Sequence, residues 1–309
     1  MSAEDLLRDL RREGYSRGAI ARFFRTCVSR VSRGLPEHPE LVRPVATTAL
    51  GLFSLQFVAA LVLSARLDPW VGVTYLGASS CLLLFASFWV LTHVGLLPGS
   101  PDRQRVVRMP LPIAITMLRL VSIPAIVLLV RQHEWTAVVW LFAASAITDV
   151  LDGVIARAFH LETSVGALLD PVTDIAFNSA VFISLSREGV LPWWVTGLVI
   201  ARYALLVGGT GYLYLFHGPV RIQPTLFGKL SGLLTTILLG FLLLGLSIWS
   251  QGTQHRLKEV FDVGLGVLGL ATIIQVIFIG LANRNLLAAA PADEERPAKV
   301  VGEIRGPRR

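Results

Sequence analysis

The chain has 309 residues, of which 53% are hydrophobic and only 16% charged, with a formal net charge of +7 and a mean hydropathy of +0.63. Soluble domains carry about 25% charged residues, and here the apolar residues fall in runs of about 20, the length a helix needs to cross roughly 30 Å of hydrocarbon. These features exclude a soluble bundle and predict an all-α, polytopic membrane helical bundle with no nucleic-acid partner.

In chain order, residues 1–44 form a basic arm with nine arginines and no apolar core of the kind a cleavable signal needs. Within it, Leu6, Leu7, Leu10, Ile20, Phe23 and Phe24 alternate with arginines. That pattern suits a helix lying on an anionic bilayer surface, and equally a solvated helix that enforces topology. Two spans follow near 45–66 and 72–97, so residues 45–100 form an accessory pair of transmembrane helices. A Pro/Gly/Arg-rich stretch, LLPGSPDRQRVVRMPLP over 96–112, marks the best boundary in the chain. Six more spans are expected near 113–130, 135–157, 165–186, 191–215, 226–249 and 262–283, within a six-helix catalytic core spanning 101–287. Residues 288–309 read as a disordered tail. Cys27 and Cys81 are placed too far apart in this scheme to form a disulfide or a metal site.

Lys and Arg concentrate in the arm, in the second-to-third connection (Arg103, Arg105, Arg108) and in the tail. With eight spans these fall on one side, which the positive-inside rule assigns to the cytoplasm. An integral protein of a bacterial inner or plasma membrane, with both termini cytoplasmic, is expected.

The segment TDVLDGVIARAFHLETSVGALLDPVTD, residues 148–174, carries the chemistry. Asp149 and Asp152 are three apart near the end of the fourth span. Asp170 and Asp174 are four apart near the start of the fifth, so each pair shares a helix face. A short polar connection returns the second helix antiparallel, bringing both pairs to one depth at the cytoplasmic side. One ionised Asp at the bilayer centre costs about 2.5–3.5 kcal/mol, so four facing lipid would cost on the order of 10 kcal/mol. They must line a wet cavity, and their mutual repulsion must be relieved by protons or cations. Hard divalent cations with oxygen ligands answer that need and suit phosphoryl chemistry. Gly153, Ala156 and Gly166 leave backbone open to a flat base and a diphosphate, or serve as close helix crossings. Arg157 contacts phosphate or marks the membrane interface.

Written D-x2-D-G-x2-A-R-x8-G-x3-D-x3-D, residues 149–174 match the signature of the CDP-alcohol phosphotransferase (CDP-alcohol phosphatidyltransferase) family at all eight fixed positions. Chance would give this in about one window in 10^10. The resemblance covers the six spans from about 110 to 285. It implies two divalent cations, Mg2+ or Mn2+, held by Asp149, Asp152 and Asp170, with Asp174 as general base and additional metal contact. It also implies a cytidine site at Gly153, Ala156 and Gly166, flanked by Asp149, Asp152, Arg157 and Thr116. An acceptor hydroxyl would attack the β-phosphorus of the CDP-linked donor and release CMP. A homodimer is the family expectation.

PIAITMLRLVSIP over 112–124 resembles the first core helix of members that use CDP-diacylglycerol, keeping Pro112, Thr116 and Arg119 but with Ile113 where Asn is usual. DPVTD resembles the corresponding segment of phosphatidylglycerophosphate and cardiolipin synthases, with Ile175 in place of the following Lys. Arg202, inside the sixth span, and Arg221 and Lys229, around the next cytoplasmic connection, are the candidate acceptor-binding cations. Gly232 replaces the Thr usual after the Gly-Lys pair. Glycerol 3-phosphate is the favoured acceptor, with phosphatidylglycerol and inositol 1-phosphate as alternatives. Intramembrane carboxylates alone would also fit a cation- or proton-coupled transporter or a catalytically silent scaffold.

Overall fold

The computed structural model describes residues 18, 21–22, 25–26, 29, 39–96, 111–158, 164–217, 221–222, 226–249, 251–288 and 300–301. Most of the basic arm with Cys27, the arginines at 103, 105 and 108, and nearly all of the tail lie outside them.

Eight long helices stand where eight spans are expected. They are α1 Pro39–Arg66, α2 Pro69–Leu96, α3 Leu111–Arg131, α4 Trp135–Ala158, α5 Ser164–Arg187, α6 Trp193–His217, α7 Leu226–Ile248 and α8 Gln251–Ala288. Seven are long and apolar enough to cross a membrane, and in α6 the apolar stretch Trp193–Gly209 is shorter. The α8 helix begins at Gln251, well before the expected 262, although its apolar window is only Lys258–Phe278. The polar segment ahead of that window contains no proline, so the helix continues past the hydrocarbon. The strands are two-residue pieces among the described residues: β1 Arg221–Ile222 pairs in parallel with β2 Val300–Val301.

Helix ends follow local chemistry. Pro69 opens α2 at the position where its missing N–H is harmless, and the Trp70 N–H donates to Asp68 Oδ1 at 2.7 Å, an N-cap. Both α3 and α5 end in the same motif. After α3, His133 N–H donates to Val130 O and Glu134 N–H to Leu129 O, with His133 at φ 56°. After α5, Gly189 N–H donates to Ser186 O and Val190 N–H to Leu185 O, with Gly189 at φ 66°. A left-handed residue closing two such bonds satisfies the last carbonyls of a helix. Glycine adopts that φ without strain, and His is among the side chains that tolerate it.

The chain divides into two compact units, Met1–Ala180 and Val181–Arg309, with the boundary inside α5. In the first unit α1 packs on α2, α2 on α3, and α3 on α4. Gly72 of α2 crosses α1 where an added Cβ would meet Ser64 Oγ and the Ala60 carbonyl. A small residue therefore sets that approach. Val45 of α1, Ala86 and Val90 of α2, Ile113 and Met117 of α3, and Leu169 of α5 belong to one buried apolar cluster. The two N-terminal helices thus share a core with α3 and with α5, which carries Asp170 and Asp174. Cys81, on α2, is a free thiol.

In the second unit α6 and α7 pack on α8. Trp194 and Leu198 of α6 fill the space left by Gly266 and Gly269 of α8. Ser186 and Thr196 hydroxyls meet at 2.6 Å in a buried setting, and Lys258 Nζ donates to Gly189 O. Lys258 of α8 thereby ties to the turn between α5 and α6.

Candidate functional site

Three helices of the first unit build the site. Asp149, Asp152 and Gly153 lie in the last turns of α4, and Gly166, Asp170 and Asp174 in the first turns of α5. On α3, Thr116 and Arg119 are three apart and so share a face. That face reaches three of the four carboxylates. Thr116 Oγ1 donates to Asp170 Oδ1 at 2.6 Å and lies 3.0 Å from Pro112 O. Arg119 Nη1 pairs with Asp149 Oδ1 and stands 3.3 Å from Asp174 Oδ1. Asp170 also interacts electrostatically with Arg119 and Asp149. At a deeper level Phe142 of α4 stacks on Phe177 of α5 with centroids 6.3 Å apart.

Burial differs sharply across this cluster. Arg119 is 4% exposed and Thr116 fully buried, whereas the side chains of Asp149 and Asp174 are 46% and 43% exposed. The buried cation thus backs the carboxylates from inside the bundle, and their other side stays open. An arginine at this depth of an apolar helix is expensive unless paired, and the two aspartates supply its pairing. Arg119 is a residue that motif reading left without a role and that the structure places against two of the aspartates. The signal was its charge in the middle of α3.

Ile113, which replaces the usual Asn, is 1% exposed and sits in the apolar cluster with residues of α1 and α2. An amide there would be buried among hydrocarbon at a cost of about 1–3 kcal/mol, so the accessory helices and the departure from the pattern go together.

The side chains of Asp152, Ala156 and Arg157 on α4, and of Arg221 and Lys229, lie outside the described residues. Arg202 belongs to the second unit, on α6, with its guanidinium 5.7 Å from the centre of the Tyr203 ring. Thr173, between Asp170 and Asp174 in sequence, is fully buried, and its hydroxyl has no hydrogen-bond partner among the described residues.

Among the described residues no group of three or more His, Cys, Asp or Glu side chains is drawn together tightly enough to hold a metal. The donor set nonetheless fits a hard divalent cation. It consists of carboxylate oxygens, and one cationic nitrogen, Arg119 Nη1, already bridges two of them.

Eight long helices, seven of them long and apolar enough to cross a membrane, with carboxylate pairs on α4 and α5, define a polytopic membrane protein with an acidic cluster among its helices. The sequence profile of the CDP-alcohol phosphatidyltransferases matches residues 109–281, and the chain belongs to that family. It is 34% identical over 181 residues to a probable phosphatidylglycerophosphate synthase of Mycobacterium tuberculosis, covering 56% of this chain and 81% of the relative. It is 31% identical over 195 residues to a cardiolipin synthase (CMP-forming) of Streptomyces coelicolor, covering 59% and 87%. A probable cardiolipin synthase (CMP-forming) of Drosophila melanogaster is 31% identical over 185 residues, 55% of this chain and 57% of the relative. No solved structure matches the chain. The protein is therefore an integral membrane transferase of phosphate-substituted groups acting in phospholipid biosynthesis. It takes a CDP-alcohol and an alcohol acceptor, and its family generally uses divalent metals. This assignment replaces the transporter and scaffold readings that carboxylates alone also allow.

The Thr116–Asp170 bond gives a direct prediction. Thr116→Val keeps the shape and removes the donor, so the rate of transfer or the affinity for Mn2+ should fall about 10–100-fold, as for lost outer-sphere partners of metal ligands. Thermal unfolding should move little. A Val variant with unchanged rate and Mn2+ titration would show that the hydroxyl does not orient Asp170 in the working enzyme.

Proposed function

We propose that the protein transfers the phosphatidyl group of CDP-diacylglycerol to glycerol 3-phosphate, releasing CMP and forming phosphatidylglycerophosphate. The observation that carries the mechanism is the convergence of Asp149, Asp170 and Asp174 on one face of α3, through Arg119 and Thr116. In this reading Asp149, Asp152 and Asp170 hold two divalent cations, Mg2+ or Mn2+, with Asp174 touching one of them. Such ions supply charge neutralisation and alignment of the donor diphosphate. Asp174 accepts the proton of the acceptor hydroxyl as that oxygen attacks the β-phosphorus. Its half-exposed carboxylate can reach an incoming acceptor, and Arg119 holds it in orientation. Thr116 fixes the rotamer of Asp170. Gly153, Ala156 and Gly166 admit the cytidine close to the backbone, and Arg157 contacts the donor phosphates.

Arg202, Arg221 and Lys229 bind the acceptor phosphate. The Mycobacterium tuberculosis relative, named for phosphatidylglycerophosphate synthesis and matched over 81% of its length, supports the choice of acceptor. A second acceptor, phosphatidylglycerol, is supported by the 87% coverage of the Streptomyces coelicolor cardiolipin synthase.

For topology, we place both termini and the carboxylates in the cytoplasm, in a bacterial inner or plasma membrane. Trp70 is the second residue of α2, Trp135 and Trp193 open α4 and α6, and Trp249 follows α7. With consecutive helices crossing in opposite directions, these ends share the side opposite Asp149 and Asp152, as an interfacial aromatic belt requires. The arm then lies at the cytoplasmic surface ahead of the accessory pair, and a homodimer completes the assembly.

The test is CMP release by purified full-length protein in Mg2+ or Mn2+ with CDP-diacylglycerol and, separately, glycerol 3-phosphate, phosphatidylglycerol or inositol 1-phosphate. Release with glycerol 3-phosphate at a rate well above the other two is expected. Turnover confined to phosphatidylglycerol would transfer the assignment to cardiolipin synthesis, and turnover confined to inositol 1-phosphate would refute both.

A further inference from the structure

Arg119 engages two of the oxygens that a divalent cation would take as ligands. Its Nη1 pairs with Asp149 Oδ1 and lies 3.3 Å from Asp174 Oδ1, so a single nitrogen spans carboxylates on α4 and α5. A guanidinium keeps its charge throughout the working pH range, so it cannot give way by losing a proton. It repels an arriving cation and at the same time occupies that cation's ligands. We propose that Arg119 is a positioning residue that competes with the divalent cation for Asp149 and Asp174, holding the carboxylates together while lowering the affinity of the site for metal. The inference rests on the metal-site reading of the aspartates given above.

Burial sets the direction of this competition. Arg119 is enclosed at 4% exposure, whereas the side chains of Asp149 and Asp174 are 46% and 43% exposed. The guanidinium therefore remains close to the carboxylates whether or not an ion has entered, and its repulsion persists. A further negative group at the site offsets that repulsion. The diphosphate of a CDP-linked donor brings such charge, so the ion is held firmly once the donor is present and weakly before.

Two other roles for a buried arginine predict different outcomes. Loss of a purely structural Arg119 would lower stability equally with and without metal. An outer-sphere support of the ligands would, on removal, weaken metal binding.

The experiment uses the full chain in detergent, titrated with Mn2+ alone and followed by the EPR signal of the free ion, with thermal unfolding measured in EDTA and in saturating Mn2+. Arg119→Gln should bind Mn2+ about tenfold more tightly than the wild type. It should also unfold at a lower temperature in EDTA, with most of that deficit recovered in Mn2+. Arg119→Lys keeps the charge but loses the two-carboxylate reach. It should shift Mn2+ affinity in the same direction by a smaller factor, and it serves as the test if the Gln variant does not fold. Unchanged or weaker Mn2+ binding by the folded variant overturns the competition, as does an equal loss of stability in EDTA and Mn2+. Absence of Mn2+ binding by the wild-type protein overturns the metal-site reading itself and this inference with it.

Discussion

Asp174→Asn is expected to lower the rate of CMP release by about 10^2–10^4-fold, the usual contribution of a positioned general base, while leaving the protein folded. The substitution keeps size and shape and removes the ability to take a proton. The amide oxygen still accepts from Arg119, whose Nη1 stands 3.3 Å from Asp174 Oδ1, so the buried guanidinium keeps that neighbour. The side chain is 43% exposed, and a neutral amide there leaves no buried polar group stranded. Activity and stability should therefore separate: a large fall in turnover with an unfolding temperature close to that of the wild type. If Asp174→Asn retained full turnover, the proton would have to go elsewhere in the site. If it lost activity and stability together, the residue would be structural first.

Much of this site was legible in the sequence because its residues are close in the chain. The spacings of Asp149, Asp152, Asp170 and Asp174 follow from helix periodicity, and the bilayer penalty on carboxylates forces them toward a polar cavity. The eight helices were legible for a similar reason, since runs of about 20 apolar residues have one stable state in hydrocarbon. Contacts across long separations were not legible. Thr116 and Asp170 are 54 residues apart, and Arg119 and Asp149 are 30 apart, and no local period links such positions. The resemblance places Thr116 beside the nucleotide, and the structure adds a contact the sequence could not show, its hydroxyl donating to Asp170. Arg119 carried a clear warning, a full charge within the apolar α3, but its partners depend on how α3 packs. Ile113 is a third case. As a sequence it is only a departure from a pattern, and the apolar cluster it shares with α1 and α2 supplies the physical reason. The early start of α8 escaped notice because hydropathy reports where a helix crosses lipid, not where its hydrogen bonds begin.

The same separation in burial between Arg119 and its partners predicts which aspartate matters most for stability. Asp149→Asn should destabilise the metal-stripped protein more than Asp174→Asn, because Arg119 pairs directly with Asp149 and lies farther from Asp174. Removing one partner of a buried ion pair costs about 3–5 kcal/mol when the remaining charge is stranded. Here Asp174 and the exposed side of the cluster retain part of the compensation, so a loss of about 2 kcal/mol is expected for Asp149→Asn. Arg119→Gln removes the buried charge altogether. The double variant Asp149→Asn/Arg119→Gln should therefore be more stable than the sum of the single losses, by about 1 kcal/mol, within the range of coupled contacting residues. Unfolding of the four proteins in EDTA measures this coupling directly. Additive losses would mean that the guanidinium and Asp149 do not hold each other in the folded protein.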